Sequence, residues 1–85
     1  MKEYYKIYAW EKCPYCVKAK SLLVSKKKQF VFCCLDESKD LLEHLKEKYD
    51  WLTVPLIIRV DMQKKEEEFI GGCSDLIKYM EKLNE

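Results

Sequence analysis

The sequence is poor in the residues that mark flexible or loop-rich proteins. Among its 85 residues are two glycines, two prolines and a single histidine. It has no apolar stretch of the roughly 18 residues that a membrane-spanning helix needs, and Met1-Lys2-Glu3 leads into a strand-like segment rather than a signal peptide. The formal net charge of +1 gives no overall attraction to nucleic acid or to an anionic membrane. These absences favour a small cytoplasmic protein with neither kind of partner.

The apolar content of the chain is sufficient for one hydrophobic core. Apolar residues make up 48% and charged residues 36% of the chain, which is consistent with a single domain spanning residues 1–85. Cysteine is the plentiful exception, with five residues. A secreted disulfide scaffold would more often carry an even number, so we expect these thiols to be mostly reduced.

Hydrophobic patterning predicts the element order βαβαββα. Segments rich in branched and aromatic residues are the predicted strands, at 4–9, 30–35, 56–60 and 66–70. Segments with apolar residues at helical spacing are the predicted helices, at about 16–26, 38–49 and 74–83. The first βαβ unit implies a parallel pair and the last two strands a hairpin. We therefore expect an α/β fold with a four-stranded mixed sheet flanked by three helices.

Two details of this prediction concern single elements. The strand at 30–35 is almost continuously apolar, so we expect it to be covered on both faces, with Cys33 and Cys34 as small hydrophobic residues. Ser38 is the expected cap of the second helix.

Cys13-Pro14-Tyr15-Cys16 is the motif with the clearest chemistry. Two thiols at this spacing come together when the second begins a helix, whose free N–H groups and dipole stabilise a thiolate. The thiolate is the form that attacks disulfides, so we interpret the motif as a redox pair in which Cys13 attacks and Cys16 resolves. A zinc site is the alternative, but structural zinc takes four ligands, and Cys33-Cys34 does not form a second such pair.

Two more segments have unusual backbone requirements. Pro55, in Thr53-Val54-Pro55, enters a strand although it has no N–H for the ladder. A cis bond at this proline would explain its position, although trans bonds are far commoner. Gly71-Gly72-Cys73-Ser74-Asp75 lies at a helix start, where free N–H groups can bind a carboxylate and Asp75 can accept from an ammonium group. The alternative is a plain turn capped by Ser74.

Together, Cys-Pro-Tyr-Cys, Thr-Val-Pro and Gly-Gly-x-Ser-Asp resemble the dithiol glutaredoxins in order and spacing, and the resemblance extends over essentially the whole chain. Residues 19–32 also resemble short bacteriophage glutaredoxins. The resemblance implies a thioredoxin fold, a cis bond before Pro55 and glutathione as cosubstrate, with no metal. The implied activity is reduction of protein disulfides and of protein–glutathione mixed disulfides by a monomer. Ribonucleotide reductase is the protein substrate that the bacteriophage likeness suggests.

The resemblance also implies the roles of individual residues. Cys13 is the nucleophile and Cys16 the resolving thiol. The residues that would bind glutathione are Lys12, Tyr15, Thr53, Val54, Pro55, Gly72, Cys73, Ser74 and Asp75. Most family members carry a cation three residues before the first cysteine, and Arg or Gln two residues before Thr-Val-Pro. Trp10 and Trp51 stand at these positions here, so we expect Lys12 to replace the missing cation and glutathione to bind more weakly or in another pose.

Three other functions stay open. A thioredoxin-like reductase recharged by a flavoprotein would use the same redox pair. A module that binds an iron–sulfur cluster between two copies would be coloured when purified, and a metallochaperone would leave Thr53-Val54-Pro55 unexplained. We interpret Cys73 as a thiol on the solvent side, or else as an oxidisable thiol near the site, and His44 as a surface residue.

Overall fold

The computed structural model describes residues 2–83, and its elements follow the predicted order. They are β1 Glu3–Ala9, α1 Pro14–Ser25, β2 Phe30–Cys34, α2 Lys39–Tyr49, β3 Leu56–Asp61, β4 Glu66–Gly71 and α3 Cys73–Leu83. The strands lie in the order β2-β1-β3-β4. β1 runs parallel to β2 and antiparallel to β3, which pairs antiparallel with β4. This is the mixed sheet of the thioredoxin fold, so the predicted fold class is confirmed.

The two central strands, β1 and β3, carry the core. Side chains alternate between the two faces of a strand, and here both faces are covered. On one face the sheet packs against α1 and α3, through residues that include Ile7, Ile57, Leu23, Leu76 and Met80. On the other face Leu56 packs with residues of α2 and the segment before it, namely Leu35, Leu42 and Leu45. Each fully buried Leu or Ile contributes about 1.5–3 kcal/mol. No helix between residues 2 and 83 is long and apolar enough to cross a bilayer.

The expectation for β2 is wrong. This strand forms an edge of the sheet, and consequently Val31 is 45% exposed and Cys34 is exposed, while Cys33 is only half-buried. It is therefore not covered on both faces, and its cysteines are not core residues. Branched and aromatic residues suit any pleated strand, central or edge, so the composition of this segment does not reveal its place in the sheet.

The starts of α2 and α3 also differ from expectation. Ser38 precedes α2, but its side chain makes no capping hydrogen bond. α3 begins at Cys73, and the carbonyl of Gly72 accepts a hydrogen bond from Leu76 N at 3.0 Å. Gly72, and not Ser74, therefore holds the cap position. Asp75 Oδ2 accepts from Gly72 N at 3.0 Å, which is one half of a capping box.

Candidate active site

Cys13 and Cys16 lie where the chain passes from β1 into α1. Cys13 is the N-cap residue of α1 and Pro14 is the first helical residue, so the helix begins two residues before the predicted start. The backbone N–H of Cys16 donates to Cys13 Sγ at 3.3 Å. This hydrogen bond and the positive end of the helix dipole both favour a sulfur that carries negative charge.

The two thiols differ in burial and therefore in chemistry. Cys13 is 8% exposed, whereas Cys16 is fully buried. Burial raises the pKa of Cys16 to about 12, and the side-chain hydrogen bond with Cys13 contributes to the rise. Cys16 is thus a neutral thiol at pH 7, which makes Cys13 the candidate for the first attack on a disulfide.

A pocket of about 300 Å³ lies beside the redox pair, between the start of α1, the loop before β3 and the start of α3. We term it the α3-side pocket. It is lined by Tyr15, Lys18, Trp51, Thr53, Val54, Pro55, Gly72, Cys73, Ser74, Asp75 and Ile77. Eight of the nine residues that the sequence assigned to glutathione binding lie in this wall. The Val54–Pro55 peptide bond is cis, as the resemblance implied.

The polar groups of this pocket are few and sit mainly at the start of α3. Of the charged side chains within residues 2–83, only Lys18 and Asp75 line it. The first N–H groups of α3, at residues 73–75, have no partner within the helix. They and the helix dipole favour a carboxylate at this end of the pocket.

Cys73 is the first residue of α3 and lies in the pocket wall, only 7% exposed. It belongs to the same buried cluster as Cys13 and Cys16. The interpretation of Cys73 as a thiol on the solvent side is therefore wrong, because the helix begins at this residue and packs it against the core. Burial raises the pKa of its thiol, although the charge of Lys18 opposes the rise.

Trp51 supplies apolar surface to the same wall. Its ring packs edge-on against Phe69, with the ring centroids 5.4 Å apart. A Cβ added to Gly72 would lie 3.6 Å from the Trp51 ring, so the cap of α3 sits against the indole. The indole Nε1 is buried and has no hydrogen-bond partner within residues 2–83.

A second cavity, of about 490 Å³, lies against α2 on the opposite face of the sheet. We term it the α2-side cavity. It is lined by Trp10, Glu11, Lys12, Asp36, Lys39, Leu42, Glu43 and Lys46. Lys46 Nζ lies 5.9 Å from the centroid of the Trp10 ring. Lys12 is thus the one predicted glutathione-binding residue that lines a different cavity from the other eight.

Sequence reasoning missed Lys18. It lies one helical turn after Tyr15, so the i, i+3 spacing of the two residues on α1 was the signal that could have found it. His44 is exposed, as expected. Within residues 2–83 no three His, Cys, Asp or Glu side chains are grouped to hold a metal ion.

The fold and the dithiol define a thiol–disulfide oxidoreductase of the thioredoxin superfamily. The sequence profile of the Glutaredoxin family matches residues 5–64. Glutaredoxin 3 of Escherichia coli K12 is 40% identical over 70 residues, which cover 82% of this chain and 77% of that protein. The chain therefore belongs to the glutaredoxin family.

Solved structures of the family share the fold over most of the chain. A dithiolic glutaredoxin of Trypanosoma brucei brucei superposes with a TM-score of 0.74 at 31% identity, covering 92% of this chain and 77% of that one. Glutaredoxin 1 of Francisella tularensis, solved in complex with cacodylate, gives a TM-score of 0.75 at 27% identity, with coverage of 98% and 99%. Members of the family use glutathione as reductant.

Proposed function

We propose that this glutaredoxin takes its electrons from glutathione, bound in the α3-side pocket. The observation that carries the proposal is the composition of the pocket wall. Residues far apart in the sequence, in Thr53-Val54-Pro55 and in 72–75, lie together beside Cys13-Pro14-Tyr15-Cys16 around about 300 Å³. They are the segments on which the resemblance to the dithiol glutaredoxins rests.

The chemistry of the wall suits a small zwitterionic thiol. The backbone of Val54 can pair with the cysteinyl unit of an extended peptide, and Tyr15, 66% exposed, can flank its sulfur. The free N–H groups of α3 can bind the carboxylate at the γ-glutamyl end. Asp75 Oδ2 is occupied by Gly72 N, so Oδ1 is the oxygen that can accept from the ammonium group.

The proposed reaction begins with the Cys13 thiolate attacking a substrate disulfide, which forms a mixed disulfide and releases the other sulfur as a thiolate. Cys16 then loses its proton and attacks Cys13 Sγ, so the internal disulfide forms and the reduced substrate leaves. One glutathione opens this disulfide and a second releases the first as glutathione disulfide. With a protein–glutathione mixed disulfide, Cys13 takes the glutathione directly and a second glutathione frees it.

The proposed setting follows from the same chemistry. Both thiols and the whole α3-side pocket come from one chain, so a monomer suffices. A cytoplasm rich in glutathione would keep the pair reduced. Disulfide-containing or glutathionylated proteins are the proposed substrates, with ribonucleotide reductase as a candidate. Trp51, which lines the α3-side pocket, supports weaker glutathione binding or another pose than in relatives with Arg or Gln at its position.

A coupled assay tests the proposal. NADPH consumption is measured with glutathione and glutathione reductase in one arm and with thioredoxin reductase in the other. We expect turnover in the glutathione arm only. Turnover in the thioredoxin reductase arm alone would instead establish a thioredoxin-like reductase recharged by a flavoprotein.

Two variants test the roles of the cysteines in the same assay. Cys13→Ser should be inactive on every substrate, because Cys13 is the thiol whose sulfur accepts a backbone N–H at the start of α1, and its partner Cys16 is a fully buried neutral thiol. Cys16→Ser should keep activity on glutathionylated protein and lose activity on protein disulfides. Activity that survives in Cys13→Ser would contradict the assignment of the nucleophile.

A further inference from the structure

We infer that Lys18 binds the α-carboxylate at the γ-glutamyl end of glutathione. The inference rests on the proposed function, because it concerns the same ligand in the same pocket. It differs from the expectation drawn from the sequence, which gave the role of the cation to Lys12.

Helical geometry directs Lys18 to the pocket. Tyr15 and Lys18 lie three residues apart on α1, so they share one face of the helix, and both line the α3-side pocket. Lys20 lies on the opposite face, since two residues correspond to roughly 200° of helical rotation. Its Nζ lies 5.2 Å from the centroid of the Phe32 ring in β2. Lys18 and Lys20 therefore carry the same charge on one helix but face different sides of it.

Lys18 lies at the end of the pocket formed by the start of α3. The thiol of Cys73, the first residue of that helix, lies close enough for the charge of Lys18 to act on it. The free N–H groups of residues 73–75 lie at the same end. A carboxylate bound here therefore meets a lysine and the positive end of a helix dipole together.

The γ-glutamyl end of glutathione carries one carboxylate and one ammonium group on the same carbon. Lys18 and Asp75 are the two charged side chains of the pocket wall within residues 2–83. The carboxylate can therefore pair with Lys18 and the ammonium group with Asp75. The pocket wall within residues 2–83 has no second cation for the glycyl carboxylate. Trp51 contributes only apolar surface to the wall, and Lys12 lines the α2-side cavity.

Calorimetric binding of three unreactive probes separates the two ends of the ligand. The probes are S-methylglutathione, the S-methylated dipeptide γ-glutamylcysteine, and the S-methylated dipeptide cysteinylglycine. Lys18→Gln should weaken the first two by roughly threefold to tenfold, the range between an exposed ion pair and a charge-assisted hydrogen bond. It should leave cysteinylglycine unchanged. Lys20→Gln, which removes the same charge from the same helix, should bind all three probes like the wild type.

The outcomes are distinguishable. If the wild type binds S-methylglutathione and Lys18→Gln binds it equally well, the inference is overturned and the proposed function stands. A larger loss in Lys12→Gln than in Lys18→Gln overturns it too, as does an equal loss for cysteinylglycine, which would place Lys18 elsewhere on the ligand. A wild type that binds none of the probes overturns the proposed function together with the inference. Thermal midpoints of the variants, expected to match the wild type, exclude a folding defect as the cause.

Discussion

The two cavities near the redox pair differ in how they are built. The α3-side pocket is formed by three segments distant in sequence, and its wall is mainly backbone, apolar side chains and a helix start. The α2-side cavity is larger, at about 490 Å³, and six of its eight lining residues are charged, three of each sign. The first offers backbone N–H groups at a helix start, whereas the second offers charged side chains.

Closeness to Cys13 along the chain therefore does not decide which of the two cavities a residue lines. Lys12 is the neighbour of Cys13, yet it lines the α2-side cavity. Lys18 is five residues away and lines the α3-side pocket, because a helix returns to the same face after three or four residues.

The largest expected effect on stability concerns the glycine that precedes the cap of α3. Gly71 has φ of +124°, and a Cβ there would lie 2.6 Å from Asp75 Oδ2. Gly71→Ala should therefore lower the free energy of unfolding by about 1–3 kcal/mol, measured by urea denaturation. Gly72→Ala is the matched control: its Cβ would make only ordinary contacts, so its loss should be the smaller one, limited to the lower preference of Ala for the cap position. Equal losses in the two variants would contradict this account of the α3 start.

The next effect concerns thiol reactivity. In a Cys13→Ser, Cys16→Ser background, iodoacetamide should label Cys34 faster than Cys73 at pH 7.5, because Cys34 is exposed and Cys73 is buried. Cys73 is buried and its pKa is raised, so its labelling should still accelerate as the pH rises. S-methylglutathione should protect Cys73 and leave Cys34 unaffected. Mass spectrometry of the labelled peptides measures both rates, and protection of Cys34 alone would place the ligand elsewhere.

A smaller effect separates the two roles of Asp75. Asp75→Ala removes the acceptor for Gly72 N and should cost about 1 kcal/mol of stability, as loss of a helix cap does. Asp75→Asn keeps an acceptor oxygen but loses the charge, so it should keep most of the stability and still bind glutathione more weakly. Denaturation and calorimetry on both variants measure the two quantities. Full glutathione affinity in Asp75→Asn would argue against a role for its charge.

The smallest effect is expected in the α2-side cavity. Trp10→Phe keeps an aromatic ring near Lys46, and the contact between them is partly exposed. The change in unfolding free energy should be below about 1 kcal/mol, and the KM for glutathione should stay within experimental error of the wild type. A clear rise in KM would show that the α2-side cavity takes part in glutathione binding.

Much of the fold follows from local pattern. The types and order of all seven elements were predictable, since alternation and helical periodicity report local burial. Which strand lies at the edge of the sheet depends on pairing between distant segments and not on the local sequence. The exposed edge position of β2 was therefore not predicted. The resemblance, and not the local sequence, indicated the cis bond before Pro55.

The site was predictable where short motifs carry it. Eight of the predicted residues meet in one wall because the motifs fall at element boundaries that face the same end of the sheet. The direction in which a side chain near the start of a helix points depends on the residue at which the helix begins. α1 begins at Pro14 and α3 at Cys73, each earlier than predicted. The earlier start of α3 accounts for the burial of Cys73. Lys18 lines the α3-side pocket because it shares one face of α1 with Tyr15.

Binding of glutathione in the α3-side pocket can be followed residue by residue in an NMR titration. S-methylglutathione is added to ¹⁵N-labelled protein while backbone amide shifts are followed. We predict shift changes at Lys18, Val54 and residues 72–75, with Lys39 and Glu43 of the α2-side cavity unchanged. Changes confined to residues around Lys39 and Glu43 would contradict it.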